Sequence, residues 1–185
     1  MSKSSLLNSL FHKSTKRYLS LTHNSQKMLI RKFQDKDAVK VAKLHRDTIR
    51  TINAKDYSLT QIKRWSGEIT AQGHRKYAKL HHKFVAVKKE RIIGFADYQD
   101  DELHGLYIHK DHTNKGIGNA FVTKIENAIR KKGFKSIKVT STITARSFYE
   151  RNGFKVVRKT LHRGLIVYEM KKNLATKPNF LKPRP

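Results

Sequence analysis

The stretch from His109 to Gly133 constrains the fold of this chain more than any other. It begins with a short polar loop that contains Gly116 and Gly118, and it continues into a run whose apolar residues recur at every third or fourth position. That spacing predicts an amphipathic helix with Gly133 as its natural end. Residues 106–109, LYIH, are short and apolar. The order is therefore strand, tight loop, helix.

This arrangement is typical of an anion-binding site. A pyrophosphate can reach backbone N–H groups only where no side chain stands in its way, and Gly116 and Gly118 leave that space open. The free N–H groups of the first helical turn and the helix dipole then favour negative charge. Lys115 adds a positive charge beside the loop. A helix entered through glycines with no ligand is the alternative explanation of this motif.

A second stretch, 142–154, strengthens the interpretation. TITARSFYERNGF predicts a short helix with Ala145, Phe148 and Tyr149, ended by Asn152 and Gly153. Phe154 then begins another strand.

Together the two stretches resemble the GCN5-related N-acetyltransferase (GNAT) superfamily, bacterial-type small acetyltransferases included. Its motif A, Q/R-x-x-G-x-G/A after a splayed strand, is matched by residues 113–118. Its motif B, commonly N-x-x-A-x-x-F-Y-x-x-x-G-F, is matched by residues 142–154. Thr113 replaces the usual Gln or Arg of motif A, and Thr142 replaces the usual Asn of motif B. Neither departure removes a group that the family's chemistry requires.

The resemblance implies an α/β (α+β) GNAT fold over about residues 28–172. We expect a mixed seven-stranded sheet that splays between its fourth and fifth strands, with about four helices. Residues 1–27 are expected to be a basic, disordered arm, with a targeting segment or a translation start at Met28 as alternatives. Residues 173–185 are expected to be a basic tail.

Composition excludes several classes of protein. The 185 residues include no cysteine, which rules out disulfides, a thiolate metal site and a cysteine nucleophile. We expect no metal. The sequence has no apolar run of ~20 residues that would span a membrane, and we expect a cytoplasmic protein.

The charge is strongly positive. There are 41 Lys and Arg residues against 14 Asp and Glu, a formal net charge of +27, and every acidic residue lies between Asp35 and Glu169. Such a surface attracts polyanions at long range. A lysine-rich solvated face explains the charge as well as a dedicated nucleic-acid function does, and no nucleic-acid-binding motif accompanies it.

The resemblance also implies an activity, the transfer of an acetyl group from acetyl-CoA to an amine. Acetyl-CoA would bind through the fourth strand, motif A and motif B, at Leu106, Tyr107, Ile108, Thr113, Asn114, Lys115, Gly116, Ile117, Gly118, Asn119 and Thr142. Tyr149 stands where many members keep a tyrosine that protonates the CoA thiolate. His104 stands where many keep a carboxylate base, with Glu102 and Asp97 as nearby alternatives.

Two further points remain open from the sequence. The acceptor is expected beside the first helical pair, where Tyr57, Gln61 and Trp65 are candidates to line its pocket, with ordinary core packing as the alternative for Trp65. His45 is interpreted as a packing histidine rather than a ligand. The alternative function is a basic GNAT-fold protein that docks on nucleic acid or another polyanion.

Overall fold

A computed structural model describes residues 28–174 of the chain. This part contains seven strands and five α-helices, besides three short 3-10 turns. The strands are β1 Leu29–Lys32, β2 His82–Lys88, β3 Arg91–Gln99, β4 Glu102–Ile108, β5 Ser136–Thr142, β6 Lys155–His162 and β7 Leu165–Asn173. The helices are α1 Ala38–Thr51, α2 Leu59–Gly67, α3 Ala71–Leu80, α4 Ile117–Lys131 and α5 Arg146–Arg151.

The strands form one mixed sheet in the order β1-β2-β3-β4-β5-β7-β6. Only β4 and β5 run parallel, and their pairing stops after Glu102 with Lys138 and Leu103 with Val139. Beyond these two pairs the strands diverge, which confirms the predicted splay. A bulge accompanies it, because β3 pairs with Leu103 and then with Gly105, so that His104 is the extra residue of β4.

Local sequence signals explain where the helices begin and end. Ser58 accepts a hydrogen bond from the Gln61 N–H, and the Gln61 side chain accepts one from the Ser58 N–H, so the capping box of α2 is confirmed. Helix α4 buries Ile117, Phe121 and Ile125 along one face. It is followed by Gly133 at φ +90°, as the spacing predicts.

The sheet separates two apolar layers. The larger core lies under α4, where Phe121, Ile125 and Ile129 pack against sheet residues such as Leu103 and Ile137. On the opposite face, α1 packs Val41 and Leu44 onto Val85 and Phe95. Helices on both faces therefore hold the sheet while its centre opens between β4 and β5.

Among residues 28–174, no helix combines the length and apolar character that a membrane crossing needs. The predicted basic arm, residues 1–27, lies outside the described residues, as does most of the predicted basic tail.

Candidate active site

A cleft of about 700 Å³ opens where β4 and β5 diverge. One wall comes from the outer half of β4, the loop after it and the first turn of α4, and another from the end of β5 and α5. The end of α1 and the turn after it close the remaining side, at Thr48, Ile52, Asn53 and Lys55. The two sequence motifs and the first helix thus share one cavity.

The first turn of α4 presents free N–H groups at this cleft. Gly116 caps the helix in the left-handed conformation at φ +77°. The Ala120 N–H donates to the Gly116 carbonyl at 3.0 Å, so the N–H groups of Ile117, Gly118 and Asn119 precede the first bond of the helix. A Cβ on Gly116 would meet nothing within 4 Å, hence its requirement for glycine is conformational.

Gly118 also makes room for a contact within the protein. A Cβ added there would lie 2.9 Å from two ring carbons of Phe148, on α5. The missing side chain therefore lets the motif B helix pack against the motif A helix. Beside this contact, the Asn152 side-chain amide donates to Asn119 Oδ1 at 3.2 Å.

The loop before α4 is held by its own polar groups. Thr113 Oγ1 donates to the Lys110 carbonyl at 3.0 Å. Lys115 Nζ donates to the Asp111 carbonyl at 2.7 Å, and Lys115 is absent from the cleft lining among the described residues. The cations that do line the cleft near this loop are Lys110 and Arg151, which the sequence reasoning missed.

All other residues predicted to bind the cosubstrate line the cleft. Leu106, Tyr107 and Ile108 pair with β3 on one side, and the described part of β5 offers them no partner on the other. The Thr142 hydroxyl accepts a hydrogen bond from the Ala145 N–H at 3.2 Å and one from the Asn53 amide at 3.5 Å. The motif B threonine therefore ties β5 to the end of α1.

Tyr149 lines the same cleft and is only 4% exposed. Its ring packs edge-on against Phe148 and Phe154, with centroids 5.1 Å and 5.4 Å away. Burial raises the pKa of Tyr149 well above the ordinary value for a phenol. The hydroxyl is therefore protonated at neutral pH and available as a donor.

His104 lines the cleft from the bulge in β4. Its ring lies edge-on to His81, with centroids 4.6 Å apart. Behind it, Asp97 is buried with Oδ2 3.5 Å from His81 Nδ1 and Oδ1 3.2 Å from Lys83 Nζ. Burial lowers the pKa of His81, an effect that the Asp97 carboxylate opposes. A Cβ on Gly105 would lie 2.8 Å from Asp97 Oδ1, so this glycine makes room for the carboxylate.

A pair of buried histidines supports β4 from the α1 side. His45 Nδ1 lies 3.4 Å from His74 Nε2, and the ring centroids of His45 and Tyr107 are 3.9 Å apart. Burial lowers the pKa of both histidines, that of His74 to about 3. His45 is thus a packing residue, as predicted.

The three candidates for lining the acceptor pocket, Tyr57, Gln61 and Trp65, do not line this cleft. The Tyr57 hydroxyl donates to the Ile166 carbonyl at 2.7 Å and accepts from the Ile143 N–H at 2.9 Å. Gln61 Nε2 donates to the Gly164 carbonyl at 2.8 Å, and Trp65 packs against Tyr57. The β6–β7 hairpin covers α2, so these side chains hold the hairpin instead.

The splayed sheet, the glycine-entered helix and the buried tyrosine together define an acetyltransferase of the class that the two motifs resemble. The family model described as "Acetyltransferase (GNAT) domain" matches residues 53–174, and the chain belongs to this family.

Individual relatives agree with this assignment. YafP of Escherichia coli (strain K12), an uncharacterized N-acetyltransferase, is 24% identical over 130 residues, 70% of this chain and 83% of YafP. A GCN5-related N-acetyltransferase from Rhodopseudomonas palustris superposes with a TM-score of 0.74 at 22% identity, over 80% of this chain and 97% of that one. PaiA N-acetyltransferase from Thermoplasma acidophilum, solved with coenzyme A, superposes with a TM-score of 0.68 at 24% identity, over 80% and 100%.

Proposed function

We propose that the protein transfers the acetyl group of acetyl-CoA to a primary amine. The observation that supports this most is the meeting, in one cleft of about 700 Å³, of the free N–H groups of α4, the unpaired edge of β4 and Tyr149. The relative from Thermoplasma acidophilum was solved with coenzyme A, which agrees with the proposal.

The described residues fit such a ligand in three places. The N–H groups of Ile117, Gly118 and Asn119 suit a pyrophosphate, and the open space at Gly116 lets it approach. Lys110 and Arg151 line the cleft with matching charge. The backbone groups that β5 leaves unpaired at residues 106–108 suit the amides of an extended pantetheine arm, although the Ile108 carbonyl also accepts from Thr48 Oγ1 at 3.4 Å. Thr142 lies across the gap.

Acetyl-CoA supplies the acyl group as a thioester, and the amine nitrogen forms the new bond to its carbonyl carbon as the carbon–sulfur bond breaks. Tyr149 donates its hydroxyl proton to the departing sulfur. His104 takes the proton that the ammonium group loses, directly or through water. The cleft also holds the two substrates in reacting geometry, which supplies on the order of 7–11 kcal/mol of barrier reduction.

The test is a negative charge placed beside the N–H groups of Ile117, Gly118 and Asn119, which are called the phosphate cradle below. Asn119→Asp is nearly isosteric and puts an acid in the first turn of α4, where the helix dipole favours it. We therefore expect an unchanged or higher melting temperature but roughly tenfold weaker acetyl-CoA binding, because the carboxylate repels the pyrophosphate. Isothermal titration of the purified protein measures the affinity.

Asn127→Asp is the matched control, since Asn127 is exposed on the same helix and does not line the cleft. It should bind acetyl-CoA like the wild type. If Asn119→Asp bound acetyl-CoA as tightly as the wild type, the pyrophosphate would not bind at the phosphate cradle. A wild-type protein with no saturable acetyl-CoA binding would contradict the proposed function and favour the basic, polyanion-binding alternative.

A further inference from the structure

The cleft contains no carboxylate side chain. All 14 Asp and Glu residues of the chain lie within the described range, 28–174, so residues outside that range cannot provide one. None of the 14 lines the cleft, whereas Lys55, Lys110, Arg151 and the histidines His104 and His112 do. The cavity that receives both substrates is therefore lined by cationic and neutral groups.

Asp97, Asp56 and Asp101, which adjoin the cleft in the fold, each have a partner. Asp97 is 4% exposed and bound by Lys83. Asp56 accepts a hydrogen bond from the Thr144 hydroxyl at 2.6 Å. Asp101 pairs with Lys138 at 2.9 Å, and Glu102 lies beside it where β4 and β5 are still hydrogen-bonded. None of these carboxylates, Glu102 included, lines the cleft.

The lining cations occupy two different walls. Lys110 and Arg151 lie on the side of the phosphate cradle, where the phosphates of the acetyl donor would neutralise them. Lys55 lies on the opposite wall, at the end of the turn Asn53–Lys55. The buried Asn53 amide donates to the hydroxyls of Thr142 and Thr144 at 3.5 Å and 3.3 Å, which fixes this turn against β5. A positive charge thus stands at the side of the cleft away from the cradle.

We propose that the acceptor has a carboxylate or phosphate group near its amine, and that Lys55 binds this group. The inference rests on the proposed acetyl transfer and names the substrate class of the same site. An anionic group pairs with Lys55 and is attracted by the protein's net charge of +27. A polyamine brings a second ammonium group that meets Lys55, and no carboxylate in the cleft lining compensates it.

The experiment compares acceptors that differ only in the anionic group. Thiol release from acetyl-CoA is followed with lysine against cadaverine, which lacks the carboxylate, and with O-phosphoethanolamine against ethanolamine, which lacks the phosphate. Spermidine represents polycations. We expect kcat/KM to be about tenfold or more higher for the anionic member of at least one pair, and to fall as salt is added. The pair that responds shows which anion is recognised.

Lys55→Glu tests the residue itself. The preference for the anionic acceptor should shrink by about tenfold through KM, while acetyl-CoA affinity stays near that of the wild type. Lys40→Glu is the control, because Lys40 is equally a solvent-exposed lysine, on α1, and does not line the cleft. It makes the same change of net charge and should keep the wild-type preference.

The outcomes separate this inference from the proposed function. Preference for cadaverine, ethanolamine or spermidine, or equal use within both pairs, overturns the acceptor class and leaves the acetyl transfer standing. An unaltered preference in Lys55→Glu overturns the role of Lys55. Saturable acetyl-CoA binding with no transfer to any anionic amine of the panel also overturns the acceptor class. Absence of acetyl-CoA binding overturns the proposed function instead.

Discussion

The buried histidine pair should make the fold sensitive to mild acid. His74 lies against His45 and Phe95, and its pKa is lowered to about 3 by burial first and then by the charges of Lys83 and Arg46. The unfolded chain has an ordinary histidine with a pKa near ~6.5. Between these two pKa values, His74 is protonated in the unfolded state and neutral in the folded state. The stability present above pH 6.5 is therefore lost as the pH falls.

The size of the loss follows from the two pKa values. At pH 5 the unfolded side chain is almost fully protonated and the folded one is neutral, which destabilises the fold by about 2 kcal/mol relative to pH 7.5. His45 acts in the same direction, since burial holds its pKa well below the ordinary value. Carboxylates such as Asp37, whose pKa is lowered, contribute only at still lower pH.

His74→Leu tests this reasoning. The variant loses the contact between the two rings, which costs about 1 kcal/mol at every pH. It also loses the titrating group, so its stability difference between pH 7.5 and pH 5 should be about 2 kcal/mol smaller than that of the wild type. Urea unfolding of the full chain at both pH values measures this difference.

The matched control is His162→Leu, at the exposed end of the edge strand β6, which should keep the wild-type difference between the two pH values. If His74→Leu also kept that difference, the folded His74 would bind protons as an unfolded histidine does, and the argument would be refuted.

Two further changes probe the active site. Tyr149→Phe keeps the ring packing but removes the proton donor, so turnover with an identified acceptor should fall ~10²–10⁴-fold at nearly constant acetyl-CoA affinity; wild-type turnover would eliminate the acid role. Gly118→Ala places a methyl group 2.9 Å from the Phe148 ring, so it should lower both the melting temperature and the acetyl-CoA affinity. A loss of affinity with an unchanged melting temperature would show that Gly118 does not matter for the packing of Phe148.

The sequence predicts those parts of the fold that depend on local spacing. The Ser58 capping box, the apolar stripe of α4 and the turn at Gly133 are each set by residues three or four apart, and the structure confirms them. The splay between β4 and β5 is predicted by the resemblance to the family, because the family's fold has it, and the structure confirms it.

Contacts between distant segments could not be predicted in the same way. The close approach of Gly118 and Phe148, and the cluster of His81, Lys83 and Asp97 behind His104, join residues with no periodic relation. The contact of Gln61 with Gly164 is of the same kind, since nothing near Gln61 in sequence shows that the β6–β7 hairpin lies over α2.

The splay and the buried histidines are physically connected through Tyr107. Its backbone pairs with β3 alone, because β5 has already diverged, so half of the usual hydrogen bonding of a central strand is missing there. Its ring packs between those of His45 and Phe95, with centroid distances of 3.9 Å and 5.1 Å. A protonated His45 would place an uncompensated charge against that ring, in a region already positive through Lys83 and Arg46. Because burial holds the pKa of His45 well below its ordinary value, the folded protein keeps this ring neutral over the mildly acidic range in which stability falls. The open edge of β4 should therefore stay intact in mild acid until the fold itself is lost.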